Sequence, residues 1–339
     1  MDIKETLKTL CGADGVSGGE LNASKAALAL LKQYAPDAKI DDFGNVTAFI
    51  GDKNNGKPTL LLDAHIDEIG LIVTYIDDSG FIKVANCGGI DRRLLLAQTV
   101  TIWGSEPVKG VISTLPPHVA GDSDKAAKLE DIAIDTGYTK EQLEQKVSLG
   151  DKITFDAVFS DLWGERVTGK AIDDRSGVAS VLYALELLKG AELKFNLAVQ
   201  FAVQEEVGGR GAKIAAYNAE PDFAIAVDVS FARTPGVEAW KAGKMGDGAM
   251  IGVAAALDRQ LSDRLISLAK ERDILFQREV MGGDTGTDAD DIAVTRSGVR
   301  TMLISIPQKY MHTPVEVVDL KDIKAVGALI AAFATEGEC

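Results

Sequence analysis

Two of the three histidines in this 339-residue chain stand among carboxylates in a way that suits a metal ion. His65 closes an apolar run in Leu61-Leu62-Asp63-Ala64-His65-Ile66-Asp67, and His312 lies near the other end in Tyr310-Met311-His312-Thr313-Pro314. Three acidic clusters come between them: Ile172-Asp173-Asp174-Arg175, Val203-Gln204-Glu205-Glu206 and Ala226-Val227-Asp228. Each again ends an apolar run. Imidazole with several carboxylates is the ligand set of a hydrolytic centre for two zinc-like ions.

The pieces differ in what they allow. Asp63, His65 and Asp67 alternate by two, so at the end of an extended strand they project to one side. His65 can then ligate through one ring nitrogen while Asp67 accepts a hydrogen bond from the other, which fixes the tautomer. Asp173-Asp174 opens a helix, where Asp is as suited to the first turn as to bridging two ions. Asp174 would be pinned by Arg175 or by backbone. Glu205 and Glu206 end a strand and point different ways. One can hold an ion while the other, not consumed as a ligand, acts as general base toward a water. Residue types do not say which. Asp228, directly after Phe223-Ala224-Ile225-Ala226-Val227, suits a turn or a ligand. Pro314 restrains the loop that carries His312. Gly282-Gly283-Asp284-Thr285-Gly286-Thr287-Asp288-Ala289 lacks the Lys-Ser/Thr ending of a phosphate loop, so a substrate-facing turn is expected there. His118, in Leu115-Pro116-Pro117-His118, is expected in a structural loop or an interface.

Elements that could position these groups are visible. Residues 24–34 have helical apolar spacing and stop before Pro36. Val46–Ile50 and Thr59–Leu62 are strand-like. From about Leu71 to Phe159 the chain consists of short β-rich segments broken by Gly, Asp and Pro, with no helix until about Lys140. From Ala171 onward helices and strands alternate. That pattern predicts an α/β fold: a mixed, mostly parallel sheet flanked by helices, with a small β-barrel-like domain inserted. The catalytic domain is expected to be discontinuous, residues 1–68 and 162–339, and the inserted domain to span 69–161. The acidic clusters fall at or just past the C-terminal strand ends, where open α/β sheets place their sites.

Composition narrows the class. Hydrophobic residues at 46% and charged residues at 26% describe a globular chain. A net charge of -15 argues against nucleic acid or an anionic membrane as partner. No apolar stretch nears the ~20 residues of a spanning helix, and the N-terminus reads as a charged amphipathic start rather than a signal peptide. Cys11, Cys87 and Cys339 are too few and scattered for a disulfide framework, so a reducing cytoplasm is expected. A glycosidase working with a carboxylate pair would need neither His65 nor His312 and would line its cleft with aromatics, which are only 6% here. A non-catalytic scaffold holding metals for stability is the other alternative.

Taken together, the motifs resemble those of the tetrahedral or glutamyl aminopeptidases, dinuclear metallo-aminopeptidases some of which have been called endoglucanases. The resemblance covers essentially the whole length. It is carried by residues 63–70, 170–175, 204–212, 226–229 and 310–316, with 88–100 and 116–118 resembling the inserted domain. Lys309, Thr313, Gly209 and the Asp284-Thr285 stretch depart from the family pattern without removing a candidate ligand. The resemblance implies two divalent ions, Zn²⁺ or Co²⁺, about a bridging Asp173. His65 and Asp228 would complete one site, and Glu206 and His312 the other. It further implies Glu205 as general base, Asp67 orienting His65, short peptides as substrates, and a homo-oligomer, in some members a dodecameric cage.

Overall fold

The computed structural model describes residues 1–113, 115, 118–119 and 126–337. Pro116, Pro117 and Cys339 lie outside the described residues. Two helices, α1 (Ile3–Gly12) and α2 (Leu21–Leu31), precede the strands β1 (Lys39–Ile40), β2 (Val46–Ile50) and β3 (Thr59–His65). Asp2 caps α1, its carboxylate accepting from the Glu5 amide.

Six strands then close into a barrel: β4 (Gly70–Ile76), β5 (Ile82–Cys87), β6 (Thr99–Trp103), β7 (Pro107–Ile112), β8 (Ile134–Asp135) and β9 (Lys152–Phe155). Its interior is a separate apolar cluster that includes Leu71, Ile82, Val100, Ile102 and Ile153. The short helix α3 (Lys140–Leu143) starts with a Thr139–Gln142 capping box. Only residues 66–69 separate the end of β3 from the start of β4, and Asp67 and Glu68 within that join are buried.

The chain returns through β10 (Ser160–Asp161) and β11 (Arg166–Gly169) into α4 (Ile172–Leu187), β12 (Asn196–Ala202), α5 (Arg210–Ala219), β13 (Phe223–Phe231) and β14 (Ala249–Ala254). It continues through α6 (Arg259–Glu271), β15 (Phe276–Met281), α7 (Asp288–Ala293), β16 (Arg300–Gln308), β17 (Glu316–Asp319) and α8 (Leu320–Glu336). Eight strands form the central sheet in the order β1-β2-β12-β3-β13-β16-β14-β15. The pairs β12–β3, β3–β13, β13–β16 and β14–β15 are parallel, and the others antiparallel. Strands β10, β11 and β17 make a small separate sheet.

The mixed α/β sheet and the closed β-barrel match the fold class expected from the sequence. The central strands are buried along their whole length, which is why they read as continuous apolar runs rather than alternating ones. The large core packs α4, α8, α1 and α6 on one face, and a smaller cluster packs α5 and α7 on the other. Among the described residues no helix is long and apolar enough to cross a membrane.

Candidate metal centre

Parallel strands β3, β12 and β13 run in register, so their C-terminal ends reach one edge of the sheet together. That edge carries His65 at the end of β3, Glu205 and Glu206 just past β12, and Asp228 near the end of β13. Asp173 comes from the start of α4, and His312 from the loop between β16 and β17.

The five candidate ligands and Glu205 meet here, with Asp67 directly behind His65. His65 Nε2 lies 3.1 Å from Asp173 Oδ1, 3.9 Å from Asp228 Oδ1 and 4.0 Å from Glu205 Oε2. His312 Nε2 lies 3.4 Å from Asp173 Oδ2 and 3.4 Å from Glu206 Oε2. The ligand atoms fall into two sets, His65–Asp173–Asp228 and Asp173–Glu206–His312, each with its atoms within 4.8 Å of one another. Asp173 belongs to both, one oxygen facing each histidine. Glu205 belongs to neither.

Asp67 sits behind the site. Its Oδ1 is 3.5 Å from His65 Nδ1, and its carboxylate accepts from the Glu205 amide, the Glu206 amide and Ser17 Oγ. It therefore ties the histidine strand to both glutamates. Asp174 bonds to backbone, accepting from the Gly177 amide at 3.0 Å. The alternative, pinning by Arg175, does not occur. The guanidinium turns the other way, to the carbonyls of Leu10, Ala13 and Ile66 and to Glu68.

Glu316 has no assigned role in the sequence reading, yet it organises the cavity. Its carboxylate accepts from the amides of Ile172, Asp173 and His312. The candidate ligand His312, and Ala171, Gln204 and Tyr310 within two residues of candidate ligands, have φ between +55° and +61°, which costs a non-glycine residue backbone energy. The Glu316 clamp holds two of these turns, around Asp173 and His312, in that conformation. Only its place four residues past His312 hinted at this, since its partners are backbone groups. Glu316→Gln, which puts an amide NH₂ where a carboxylate now accepts, is expected to lower metal affinity and activity by about 10–100-fold. Isothermal titration with Zn²⁺ beside an activity assay checks this.

The charge balance fits cations. Asp173, Glu206 and Asp228 lie buried with two imidazoles, and among the described residues no lysine or arginine pairs with any of them or with Glu205. Burial, with Asp173 nearby, pushes the Glu206 carboxyl well above its usual range, and burial does the same to Asp228. Glu205 is pushed up to about 7, by burial first. Asp173 goes the other way. Burial opposes its ionisation, but hydrogen bonds to His312 and His65 prevail and hold it below the carboxylate range. A nitrogen-and-carboxylate donor set of this kind suits zinc-like divalent ions.

The inserted barrel closes one side. Gly88, at φ +78°, and Gly89 follow β5. A methyl at Gly88 would stand 3.1 Å from Glu206 Oε2, and one at Gly89 2.9 Å from His312 Nδ1. Glycine is required for that close approach. The cavity, of about 440 Å³, is completed by Val229, Ser230, Phe231, Met311 and residues 285–287. Thr285, Gly286 and Thr287 of the loop at 282–289 thus face it. His118 is exposed, away from this lining.

The sequence pattern of the M42 glutamyl aminopeptidases matches residues 44–329. A lysyl aminopeptidase of Pyrococcus furiosus is 32% identical over 98% of this chain and 96% of its own. An aminopeptidase structure from the archaeon Desulfurococcus kamchatkensis superposes with a TM-score of 0.91 at 37% identity, covering 98% of this chain and 94% of that one. The TET1 peptidase of Pyrococcus horikoshii, which can assemble into a tetrahedron or a large octahedral shell, gives a TM-score of 0.88 at 33% identity over 99% and 100% of the two chains.

Proposed function

The chain belongs to the M42 glutamyl aminopeptidase family, and from that premise we propose that its metal centre removes N-terminal residues from short peptides. The observation that carries this reading is the pair of ligand sets sharing Asp173, with the Glu205 carboxylate left outside both. His65, Asp173 and Asp228 would hold one divalent ion, and Asp173, Glu206 and His312 a second, Zn²⁺ or Co²⁺. When bound, such ions supply Lewis acidity to a water and to the scissile carbonyl.

The protein's own groups do the rest. Glu205 takes the proton from the attacking water and passes it to the leaving amine, a role open to a carboxylate that stands outside both ligand sets. Asp67 holds His65 and the Glu205 and Glu206 backbone in register with one another. The buried acids leave the cavity negative, which favours a substrate's free α-ammonium over a blocked terminus.

We further place the catalytic domain at residues 1–68 and 162–339 and an oligomerisation domain at 69–161. Trp163, 95% exposed, and Val158, 81% exposed, stand near the domain junction as apolar surface that a homo-oligomer would cover. A dodecameric cage is the arrangement proposed, after the shells of the Pyrococcus horikoshii peptidase. Cys11 and Cys87 are unpaired and buried, which suits a cytoplasmic setting.

The test is a panel of aminoacyl chromogenic substrates run on metal-stripped protein, with Zn²⁺, Co²⁺ or Mn²⁺ then added back. Stripping is expected to lower turnover by at least about 100-fold, with recovery on adding ions. Chelator-resistant cleavage of a cellulose oligomer would instead support the glycosidase. Failure to turn over any aminoacyl substrate would leave the metal-stabilised scaffold.

A further inference from the structure

The cavity above the metal centre has a floor that the hydrolytic chemistry does not use. Two residues beyond Asp228, on the same face of β13, Ser230 lines the cavity. Its hydroxyl donates to one carboxylate oxygen of Glu279 on the edge strand β15. Ser305 of β16, in register with Asp228, donates to the other oxygen at 2.8 Å. Glu279 is half-buried, and among the described residues no cation pairs with it. Burial raises its carboxyl and the two hydroxyls offset that only in part, so an approaching cation would favour the ionised form.

The remaining lining is neutral: Gly89, Phe231, Thr285, Thr287 and Met311 face the cavity, and among the described residues no lysine or arginine does. Phe231 and Met311 offer apolar surface to a methylene stem. We propose that this wall is a side-chain subsite for a cationic N-terminal residue, lysine or arginine, with its head group against Ser230 and drawn by the Glu279 carboxylate that stands behind that serine. The subsite deepens the aminopeptidase reading and rests on it. A long cationic side chain lays its methylenes on apolar surface and keeps its charge for a polar partner, which is the division this wall offers. An acidic residue would set a second carboxylate against Glu279 with no cation between them. An aliphatic residue would bury Glu279 further without pairing it.

The experiment compares kcat/KM for lysyl, arginyl, leucyl and glutamyl chromogenic substrates on metal-loaded protein. Lysyl and arginyl substrates are expected to exceed leucyl by about tenfold, with glutamyl lowest. Glu279→Gln, which keeps an acceptor for a serine, is expected to reduce the lysyl-to-leucyl ratio by about tenfold, chiefly through the lysyl KM, and Glu279→Asp to retain part of it. Competitive inhibition of the unaltered protein by free lysine against free leucine reads the same preference without a substitution, and lysine should bind more tightly. Leucyl or glutamyl turnover matching lysyl, or an unchanged ratio in Glu279→Gln, would overturn the subsite while leaving the aminopeptidase intact. Turnover of no aminoacyl substrate would overturn both.

Discussion

Glu205→Gln is expected to lower kcat by roughly 10²–10⁴-fold while the protein keeps its full complement of bound ions. The substitution preserves shape and volume. Because the Glu205 side chain stands outside both ligand sets and its backbone is fixed by Asp67, no coordinating atom is lost. What disappears is the capacity to accept a proton beside His65, 4.0 Å away. Steady-state kinetics together with elemental analysis of the purified variant checks this. Ion loss accompanying the fall in rate would show that Glu205 and Glu206 have exchanged roles.

The second large effect concerns folding. Arg175 is fully buried, and its guanidinium donates to the carbonyls of Leu10, Ala13 and Ile66 and to Glu68. It joins the end of α1 to the segment that follows β3. Arg175→Met is expected to destabilise the protein by about 3–5 kcal/mol, because three carbonyls and part of a carboxylate lose their donor. Lys170 still pairs with Glu68 at 2.6 Å, which limits the damage on that side. In calorimetry the loss corresponds to a fall of roughly 4–7 °C in Tm. Arg175→Lys, keeping charge but not the planar fork, is expected to fall between the two. An unaltered melting temperature in Arg175→Met would mean that these bonds contribute little net stability.

The candidate site was legible because of how parallel sheets are built. Buried strands are apolar throughout, so a histidine or carboxylate ending such a run marks a strand end, and parallel strands bring those ends to one edge. His65, Glu205, Glu206 and Asp228 stood out for that reason, and the Gly-rich and Pro-rich breaks set the barrel apart. What escaped notice depended on backbone partners or on polar strands. Glu316 works through three amides, two of them more than 140 residues away in the chain, and no residue pattern announces that. Strand β15 carries Gln277, Arg278 and Glu279 on an exposed sheet edge, so it has no apolar signature. Ser230 and Ser305 are ordinary strand residues until their common acceptor is located. Arg175, beside Asp174 in sequence, faces away from it because successive side chains at a helix start diverge.

The join at residues 66–69 is short and fastened on both sides. Asp67 is held by Ser17 and the Glu205–Glu206 backbone, and Glu68 by Lys170, Arg175 and the Gly15 amide. There is no slack in which the barrel could swing independently of the imidazole at its root. Excising the barrel and bridging the gap with a flexible loop would loosen that imidazole's mooring, and would also remove the wall that Gly88 and Gly89 supply. The insertion behaves less like an accessory bolted on than like the keystone of the vault it stands over.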